Sequence, residues 1–208
     1  MNSRMVSQKT VERLAVYRRI LEDCLASGKT SIHSHELATR SGSTPPQVRR
    51  DLMQIKLSGT PRHGYKVKSL LESIIHYLTG SKVQRIALVG AGNLGRALLS
   101  FFSKGHSHLA VVAAFDSDPA KYGRVVHGCH CYHTDEMERV IEREKIQLAL
   151  ICVPASEAQK VAERLVDAGV KGLTNFSALS LRLPPQVYVE DIDLGAVLEK
   201  VAYFATNH

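Results

Sequence analysis

RIALVGAGNLGRALLSFF, residues 85–102, is the stretch that decides the fold of most of this chain. Residues 85–89 form a largely apolar run, as expected for a parallel strand buried on both faces. The run leads directly into G-x-G-x-x-G at Gly90, Gly92 and Gly95, and a helical pattern follows. In this setting the first glycine permits a tight turn, the second lets a pyrophosphate approach the backbone, and the third allows close packing of helix on strand. We therefore predict a strand, turn and helix that bind a dinucleotide.

A second apolar run, residues 109–115, ends in Asp116, which is 21 residues after Gly95. A carboxylate at that distance accepts hydrogen bonds from an adenosine ribose and disfavours the extra phosphate of NADP. The alternation then continues, with helices expected at 134–144, 157–168 and 194–204 and strands at 147–153, 170–173 and 187–189. This order predicts an α/β, Rossmann-type parallel sheet.

The ligand crevice of such a sheet lies at the carboxyl ends of its strands. Besides the glycine turn and Asp116, two segments follow strands at that edge. The predicted cofactor-binding residues are Gly90, Ala91, Gly92, Asn93, Leu94, Gly95, Asp116, Val153, Pro154, Asn175 and Phe176, with the last two at the nicotinamide end.

Positive charge is concentrated at the beginning of the chain. Residues 1–80 contain 13 Lys and Arg against 6 Asp and Glu, whereas residues 81–208 contain 14 of each kind. Because neutralisation of phosphates drives affinity for nucleic acids, this asymmetry favours a polyanion-binding module joined to a neutral one. A basic surface without a partner is the alternative interpretation.

Three helices are predicted within the basic part, at 10–27, around 36–40 and at 45–55. For the third, Thr44 is placed to cap the helix, Pro45 occupies its first position and Gln47 is placed to complete a capping box. For the second, Ser34 is placed as the cap. A short helix, a turn and a helix with exposed arginines are typical of a helix-turn-helix, in which the second helix enters the major groove.

The segment 58–68 is predicted to form a hairpin wing with Arg62, Lys66 and Lys68 facing phosphates. Arginines on a helix or a loop are also common on solvated surfaces, so the charge asymmetry supports this interpretation rather than the arginines alone.

The longest apolar runs are too short to cross a bilayer, and the first residues carry no apolar export signal, so we expect a cytoplasmic protein without a membrane span. Four cysteines are too few for a disulfide scaffold. The segment HGCHCYH, residues 127–133, holds potential metal ligands, but it lies where the fold needs another strand. We predict a strand edge and no metal, with zinc binding or thiol sensing as alternatives.

Several segments in order resemble the Rex family of redox-sensing repressors over nearly the whole chain. They are QVRRDL (47–52), VGAGNLGRALL (89–99), FDSDPAKYG (115–123), ICVPASEAQKVAERLVDAGVKGLTNFS (151–177) and the DIDL before the last helix. The resemblance implies a winged-helix DNA-binding domain at 1–80, an NAD(H)-binding Rossmann domain at 81–190, and a dimerisation helix at 191–208 exchanged between the subunits of a homodimer. It also implies that the protein holds a palindromic operator when NAD+ dominates and releases it as NADH accumulates.

Residue by residue, the resemblance assigns Arg49, Arg50 and Asp51 to the recognition helix. The full set of predicted DNA-binding residues is Gln47, Arg49, Arg50, Asp51, Arg62 and Lys66.

The resemblance further implies that Arg19 pairs with Asp193 across the dimer. Some members have a tyrosine that takes this aspartate in the NADH form, and Phe101 stands at that place here without a hydroxyl group. The wing also departs from the family pattern, since its arginine is displaced by one position and a proline is added.

Two other functions were considered. A small NAD-dependent oxidoreductase would need a substrate domain and an acid-base constellation, neither of which the sequence contains, so we predict that the chain is not an enzyme. A DNA-binding regulator that responds to CoA is the second, because this type of Rossmann domain also resembles CoA-binding domains.

Overall fold

The computed structural model describes residues 6–55, 64–104 and 108–206. It divides the chain into two compact units, Met1–Lys82 and Val83–His208. Within the described residues, no helix is both long and apolar enough to span a membrane.

The first unit contains four helices and a small two-stranded sheet. Its elements are α1 (Gln8–Ala26), β1 (Ser31–Ile32), α2 (Ser34–Ser41), α3 (Pro45–Gln54), β2 (Tyr65–Lys66) and α4 (Val67–Thr79). Apolar side chains at helical spacing on all four helices bury themselves in one core, which includes Leu14, Leu21, Leu37, Val48, Leu52, Leu70 and Ile74. The predicted three-helix arrangement with a helix-turn-helix at α2 and α3 is confirmed.

The turn between α2 and α3 has the expected chemistry at its centre but differs at two caps. Gly42 ends α2 in the left-handed conformation, with φ of 64°. The Thr44 hydroxyl accepts the backbone N–H of Gln47 at 3.4 Å, but the Gln47 side chain bonds to Asp51 and does not complete a capping box. Ser34 begins α2 and does not cap it, because His33 occupies the cap position.

The predicted wing is only partly found among the described residues. Tyr65 and Lys66 form a strand that pairs antiparallel with β1, a strand that the sequence analysis did not predict. Lys68 lies in α4, which begins at Val67, so it does not belong to a hairpin. The remainder of the wing, including Arg62, lies outside the described residues.

The second unit is a seven-stranded sheet with helices. Its elements are β3 (Gln84–Val89), α5 (Asn93–Ser103), β4 (Leu109–Asp116), β5 (Arg124–Val126), β6 (Cys129–His133), a 3-10 turn (Thr134–Glu136), α6 (Met137–Glu144), β7 (Leu148–Ile151), α7 (Ala155–Asp167), β8 (Gly172–Asn175), β9 (Tyr188–Asp191) and α8 (Leu194–Thr206). The strand order is β5-β6-β4-β3-β7-β8-β9, and every pairing is parallel except that of β5 with β6. This confirms the predicted Rossmann-type sheet.

The sheet is buried on both faces, and its position fixes where a ligand can bind. One core cluster includes Val89, Phe115, Ile141 and Leu165, and another includes Leu88, Leu99, Ala114 and Leu150. Strand β3 lies at the centre, with β4 on one side and β7 on the other. The order of the strands reverses there, and such a switch point leaves a crevice at the carboxyl ends of the strands.

The segment rich in His and Cys forms the predicted strand at the edge of this sheet. β6 pairs with β4 and with β5, and its alternate residues Cys129 and Cys131 face the interior. Burial raises the pKa of Cys129 to about 12 and that of Cys131 to about 11, because it disfavours the charged thiolate. Across 6–55, 64–104 and 108–206, no group of three or more His, Cys, Asp or Glu residues is arranged to hold a metal ion.

The last helix, α8, is apolar on its surface. None of its residues is buried in this chain. Its exposed large side chains are Leu194, Val197, Leu198, Val201, Tyr203 and Phe204. An apolar surface of this kind on a soluble domain marks an interaction site.

Candidate functional site

The turn after β3 has no room for side chains at two of its glycines. Gly90 has φ of 98°, and a Cβ there would lie 2.6 Å from the Cys152 carbonyl oxygen. A Cβ on Gly95 would lie 2.0 Å from the Gly90 carbonyl oxygen, so only glycine lets α5 approach the turn. A Cβ on Gly92 would meet nothing within 4 Å. Gly90 and Gly95 are therefore required by packing within the protein, whereas Gly92 faces open space into which a ligand fits.

Asp116 ends β4 beside this turn and is only 8% exposed. Its Oδ2 accepts the backbone N–H of Ala91 at 2.8 Å, and its Oδ1 accepts the N–H of Asp118 at 2.9 Å. The Lys121 ammonium lies 3.4 Å from Oδ2 of Asp116 and 3.3 Å from Oδ2 of Asp118. Partial desolvation opposes the charge on Lys121, but the two carboxylates raise the pKa of Lys121 overall. Lys121 also lies 3.5 Å from Oδ1, so each Asp116 oxygen has one short bond to a backbone N–H and one long contact with Lys121, and a ribose hydroxyl group would take the place of the long contact.

A cavity of about 690 Å³ opens at the carboxyl ends of β3, β4 and β7. This volume is in the usual range for small-molecule sites. Five predicted cofactor residues line it, namely Gly90, Gly92, Asp116, Val153 and Pro154. Backbone N–H groups at the start of α5, a carboxylate for a ribose and apolar walls are the groups that an adenine dinucleotide needs.

Four predicted residues of the turn, Ala91, Asn93, Leu94 and Gly95, do not line this cavity. The Ala91 N–H is used by Asp116, the Asn93 side chain accepts a hydrogen bond from Arg96 at 2.9 Å, and Gly95 packs against the turn. Ala91, Asn93 and Gly95 therefore fix the shape of the turn through contacts within the protein.

Sequence reasoning missed a second group of cavity residues. Asp118 and Lys121 follow Asp116 within the same loop, so their closeness to it was a usable signal. Thr134 and Asp135 come from the chain after β6, and Glu157, Lys160 and Arg164 come from α7. The last three share one helical face that begins directly after Pro154, which the helical period would have indicated.

A smaller cavity of about 320 Å³ lies at the ends of β8 and β9 and is lined by Leu94, Phe176, residues 177–180 and residues 191–194. Leu94 and Phe176 were predicted to contact the cofactor, and they face this second cavity. Asn175 does not line either cavity, which corrects its predicted contact. Its side chain is fully buried, donating to the carbonyl oxygen of Leu179 and to Asp191 and accepting from Ser177. Asn175 therefore shapes the loop that carries Phe176.

On the first unit, α3 presents a basic surface. Arg49 and Arg50 are exposed, and Arg49 donates a hydrogen bond to the Ser34 hydroxyl at 3.2 Å. Gln47 is half-buried at the start of the helix, and Lys66 is exposed on β2. These positions agree with a surface that contacts DNA.

Asp51 does not belong to this surface, which corrects its predicted role as a DNA contact. It is 1% exposed and forms an ion pair with Arg13, with Nε 2.7 Å from Oδ2. Burial alone would raise the pKa of Asp51, but hydrogen bonds from Arg13, Gln47 and Tyr17 hold it below the usual value. A buried, charged side chain of this kind holds two helices together.

The three predicted switch residues are all at the surface of their own units. Arg19 is exposed on α1, and Phe101 on α5 is 57% exposed. Asp193 is exposed directly before α8, where its Oδ1 accepts the Ala196 N–H at 2.9 Å. Their pairing across a dimer remains a prediction.

A basic helix-turn-helix unit followed by a Rossmann unit with a nucleotide-sized cavity defines a DNA-binding regulator controlled by a nucleotide. Comparison with known proteins supports both halves. Residues 5–52 match a family model described as the N-terminus of a putative DNA-binding protein, and residues 81–179 match the CoA binding domain.

The redox-sensing transcriptional repressor Rex of Listeria welshimeri is 36% identical over 98% of this chain and 94% of its own length. Rex of Geobacillus kaustophilus is 37% identical over 98% of this chain and 95% of its own length. The chain belongs to the Rex family of redox-sensing transcriptional repressors.

Solved structures of RSP, a Rex-family repressor, match the whole architecture at 32% identity. One crystal structure of RSP superposes with a TM-score of 0.86 over 97% of this chain and 95% of its own. The structure of RSP in complex with β-NAD+ and operator DNA gives a TM-score of 0.87 over 97% and 93%. RSP has also been solved in complex with β-NADH, with a TM-score of 0.85 over 97% and 95%.

Proposed function

We propose that this chain is a transcriptional repressor that binds palindromic operator DNA and leaves it when NADH binds. One observation carries the proposal: the glycine turn and Asp116 line a nucleotide-sized cavity in a chain whose other unit presents Arg49 and Arg50 on a helix-turn-helix. Complexes of the relative RSP with β-NADH, and with β-NAD+ and operator DNA, support the same pair of ligands. The protein acts as a regulator and not as an enzyme.

The cavity offers polar groups for the phosphates and ribose of the cofactor and an apolar wall for the rest of the cofactor. Open space at Gly92 allows a pyrophosphate to approach the N-terminus of α5, where backbone N–H groups favour an anion. Asp116 accepts hydrogen bonds from the adenosine ribose, and its charge repels a 2′-phosphate. Val153 and Pro154 provide the apolar wall, and Phe176 with Leu94 lies toward the nicotinamide end. NADH and NAD+ use the same residues, so the response depends on a difference in affinity between two conformations of the protein.

For DNA, α3 enters the major groove, with Gln47 and the two arginines at its N-terminal part. Lys66 and the wing, including Arg62, contact phosphates. A palindromic operator requires a two-fold symmetric protein. We infer that the apolar surface of α8 forms the interface of a homodimer, with Arg19 of one chain paired with Asp193 of the other. We place this regulator in the cytoplasm, because its target is operator DNA.

The deciding experiment measures operator binding against the NADH/NAD+ ratio at fixed ionic strength. We expect tight binding with NAD+ and release as the ratio rises, with a dimer by light scattering throughout. Phosphate contacts depend strongly on salt, so the salt concentration must stay constant. A purified protein that is monomeric, or that binds operator equally with both cofactors, would refute the proposal.

A regulator that responds to CoA is the second candidate, favoured by the match of residues 81–179 to the CoA binding domain. Fluorescence titration with NADH, NADPH and CoA separates the two ligands. We expect NADH to bind most tightly, since CoA lacks the ribose diol that Asp116 is placed to accept.

A further inference from the structure

We infer that Asp51 is a positioning residue for DNA recognition, which fixes the amide of Gln47 so that it recognises adenine in the major groove. This inference rests on the proposed DNA-binding function. It starts from the carboxylate that the sequence assigned to the DNA surface and that the structure places inside the first unit.

The Asp51 carboxylate is saturated by donors from within the protein. Its Oδ1 accepts Nη2 of Arg13 at 2.8 Å and Nε2 of Gln47 at 2.8 Å. Its Oδ2 accepts Nε of Arg13 at 2.7 Å and the hydroxyl of Tyr17 at 3.0 Å. Two carboxylate oxygens offer about four accepting positions in total. No position remains for a base or a water molecule, so Asp51 acts on DNA only through its neighbours.

Arg13 and Tyr17 belong to α1, whereas Asp51 and Gln47 belong to α3. The bidentate pair with Arg13 therefore sets the rotation of α3 about its own axis relative to α1, because a fork of two parallel hydrogen bonds is directional. This rotation decides which side chains of α3 face outward.

The same carboxylate also fixes the orientation of the Gln47 amide. A carboxylate only accepts hydrogen bonds, so the amide nitrogen must point toward Asp51 and the amide oxygen away from it. One N–H and the Oε1 atom of Gln47 then have no partner among the described residues. Gln47 is the third residue of α3, and the N-terminal residues of a recognition helix are those that contact base edges.

An N–H donor beside a carbonyl acceptor is the complement of one base. Adenine presents N6 as a donor and N7 as an acceptor in the major groove, and Gln pairs with both at once. Guanine presents two acceptors there, which a fixed amide oxygen would repel. Asp51 therefore makes Gln47 selective by preventing the amide from turning over.

The test selects duplexes from a randomised DNA library with the intact wild-type protein, Gln47→Ala and Asp51→Asn, all in the presence of NAD+. We expect the wild type to enrich a palindrome with an adenine at one symmetric position of each half-site. Both variants are expected to lose about tenfold of that preference, because a bidentate contact contributes this order of discrimination. In Gln47→Ala the preferences at other positions should stay unchanged, whereas in Asp51→Asn they should also weaken, because the pair with Arg13 sets the rotation of α3. The slope of affinity against salt should stay unchanged in both variants, since the phosphate contacts remain.

Glu22→Gln serves as the matched control. It removes the ion pair of the partly exposed Glu22 side chain with Arg18 on the same helix α1 and should leave every base preference unchanged. Should Asp51→Asn melt below the assay temperature, its selection is run below its melting point. Gln47→Glu tests the base contact of residue 47 independently, because a carboxylate cannot donate to Asp51 and instead accepts from N4 of cytosine. The preference should then move from adenine to cytosine at the same position.

An enriched palindrome with unchanged base preferences in Gln47→Ala and in Asp51→Asn would overturn this inference and leave the proposed function intact. Loss of the adenine preference in Gln47→Ala but not in Asp51→Asn would overturn the positioning role. Failure of the wild type to enrich any duplex would instead refute the proposed function itself.

Discussion

The turn at Gly90–Gly95 and the recognition helix α3 obtain their shapes from opposite sources. The turn requires glycine, which has no side chain, since a Cβ on Gly95 would lie 2.0 Å from the Gly90 carbonyl oxygen. The helix depends on a side chain that is present, because Arg13 reaches Asp51 from 38 residues earlier in the chain. A binding site formed by a backbone turn is therefore encoded by one short segment of sequence. A surface positioned by a buried ion pair is encoded by two segments that lie far apart in the chain.

The largest effect is expected when the turn is filled. In Gly95→Ala the new Cβ meets backbone, which no rotamer change relieves, so the turn or α5 must move. We expect a loss of about 3 kcal/mol in unfolding free energy, by analogy with severe overpacking, and loss of NADH binding. Denaturation and fluorescence titration measure the two quantities.

Gly92→Ala is the matched control for that substitution, because its Cβ meets nothing within 4 Å and φ is −72°. It should fold normally yet bind NADH at least tenfold more weakly, since the methyl group occupies space for the pyrophosphate. Equal stability of the two variants would contradict the packing argument.

Breaking the buried pair comes next. Arg13→Met leaves the Asp51 charge buried without its main partner, and removal of one member of a buried pair costs about 3–5 kcal/mol. Arg13 is 28% exposed, so solvent screening reduces our expectation to about 2 kcal/mol. Chemical denaturation measures it. Arg18→Met breaks an i,i+4 pair with Glu22, whose side chain is 40% exposed, and should change stability by less than about 0.5 kcal/mol. Similar losses in both variants would show that the buried pair has no special role.

Asp116→Asn tests the polar side of the nucleotide site. The amide keeps one acceptor but loses the negative charge, so NADH should bind about tenfold more weakly and discrimination against NADPH should fall. Titration with both nucleotides measures this. Asp118→Asn, in the same loop and more exposed, should have a smaller effect. An unchanged ratio of NADH to NADPH affinity would show that Asp116 does not discriminate between the two cofactors.

The stability of the first unit, which contains α3, should depend on pH through Asp51. Because the folded pKa of Asp51 lies below its unfolded value of about 3.9, the carboxylate stabilises the fold fully above that value. This contribution is lost as the pH falls through the lowered folded pKa. Melting curves below pH 4 should therefore show a loss for the first unit of the wild type that is absent in Asp51→Asn. Parallel curves would contradict the assignment.

The smallest effect concerns Cys152, which lines the nucleotide cavity. Burial raises the pKa of Cys152 to about 12, so at pH 8 only about one thiol in ten thousand is ionised. Iodoacetamide should modify this thiol slowly, and NADH should slow it further, as measured by mass spectrometry. Rapid modification would contradict this assignment and indicate a reactive thiol at Cys152.

The nucleotide turn was predictable because its signals are contiguous. A strand, three glycines and a carboxylate 21 residues later fix the fold and the place of the cavity, and the parallel order of strands followed from the same alternation. Asp51 was assigned to a ligand surface by the resemblance, and Asn175 by its place after a predicted strand; neither signal reports whether a side chain is buried. Their hydrogen-bond partners lie up to 38 residues away, and no local period encodes that distance.

The short strand β1 was missed for a related reason. It has two residues, Ser31 and Ile32, which are too few for an alternating pattern, and it exists only because Tyr65 and Lys66 pair with it. The cavity residues on α7 were missed although a signal existed, since Glu157, Lys160 and Arg164 recur at helical spacing.

The terminal helix α8 has a consequence for gene dosage. Its apolar side chains are exposed in the part of the chain that the structure describes, and on the proposed pairing a second molecule covers them. Assembly is then second order in the amount of protein, so at low abundance a doubling of synthesis raises the concentration of assembled repressor nearly fourfold. At low abundance, a cell that makes slightly less of this protein would lose about twice that fraction of its assembled repressor.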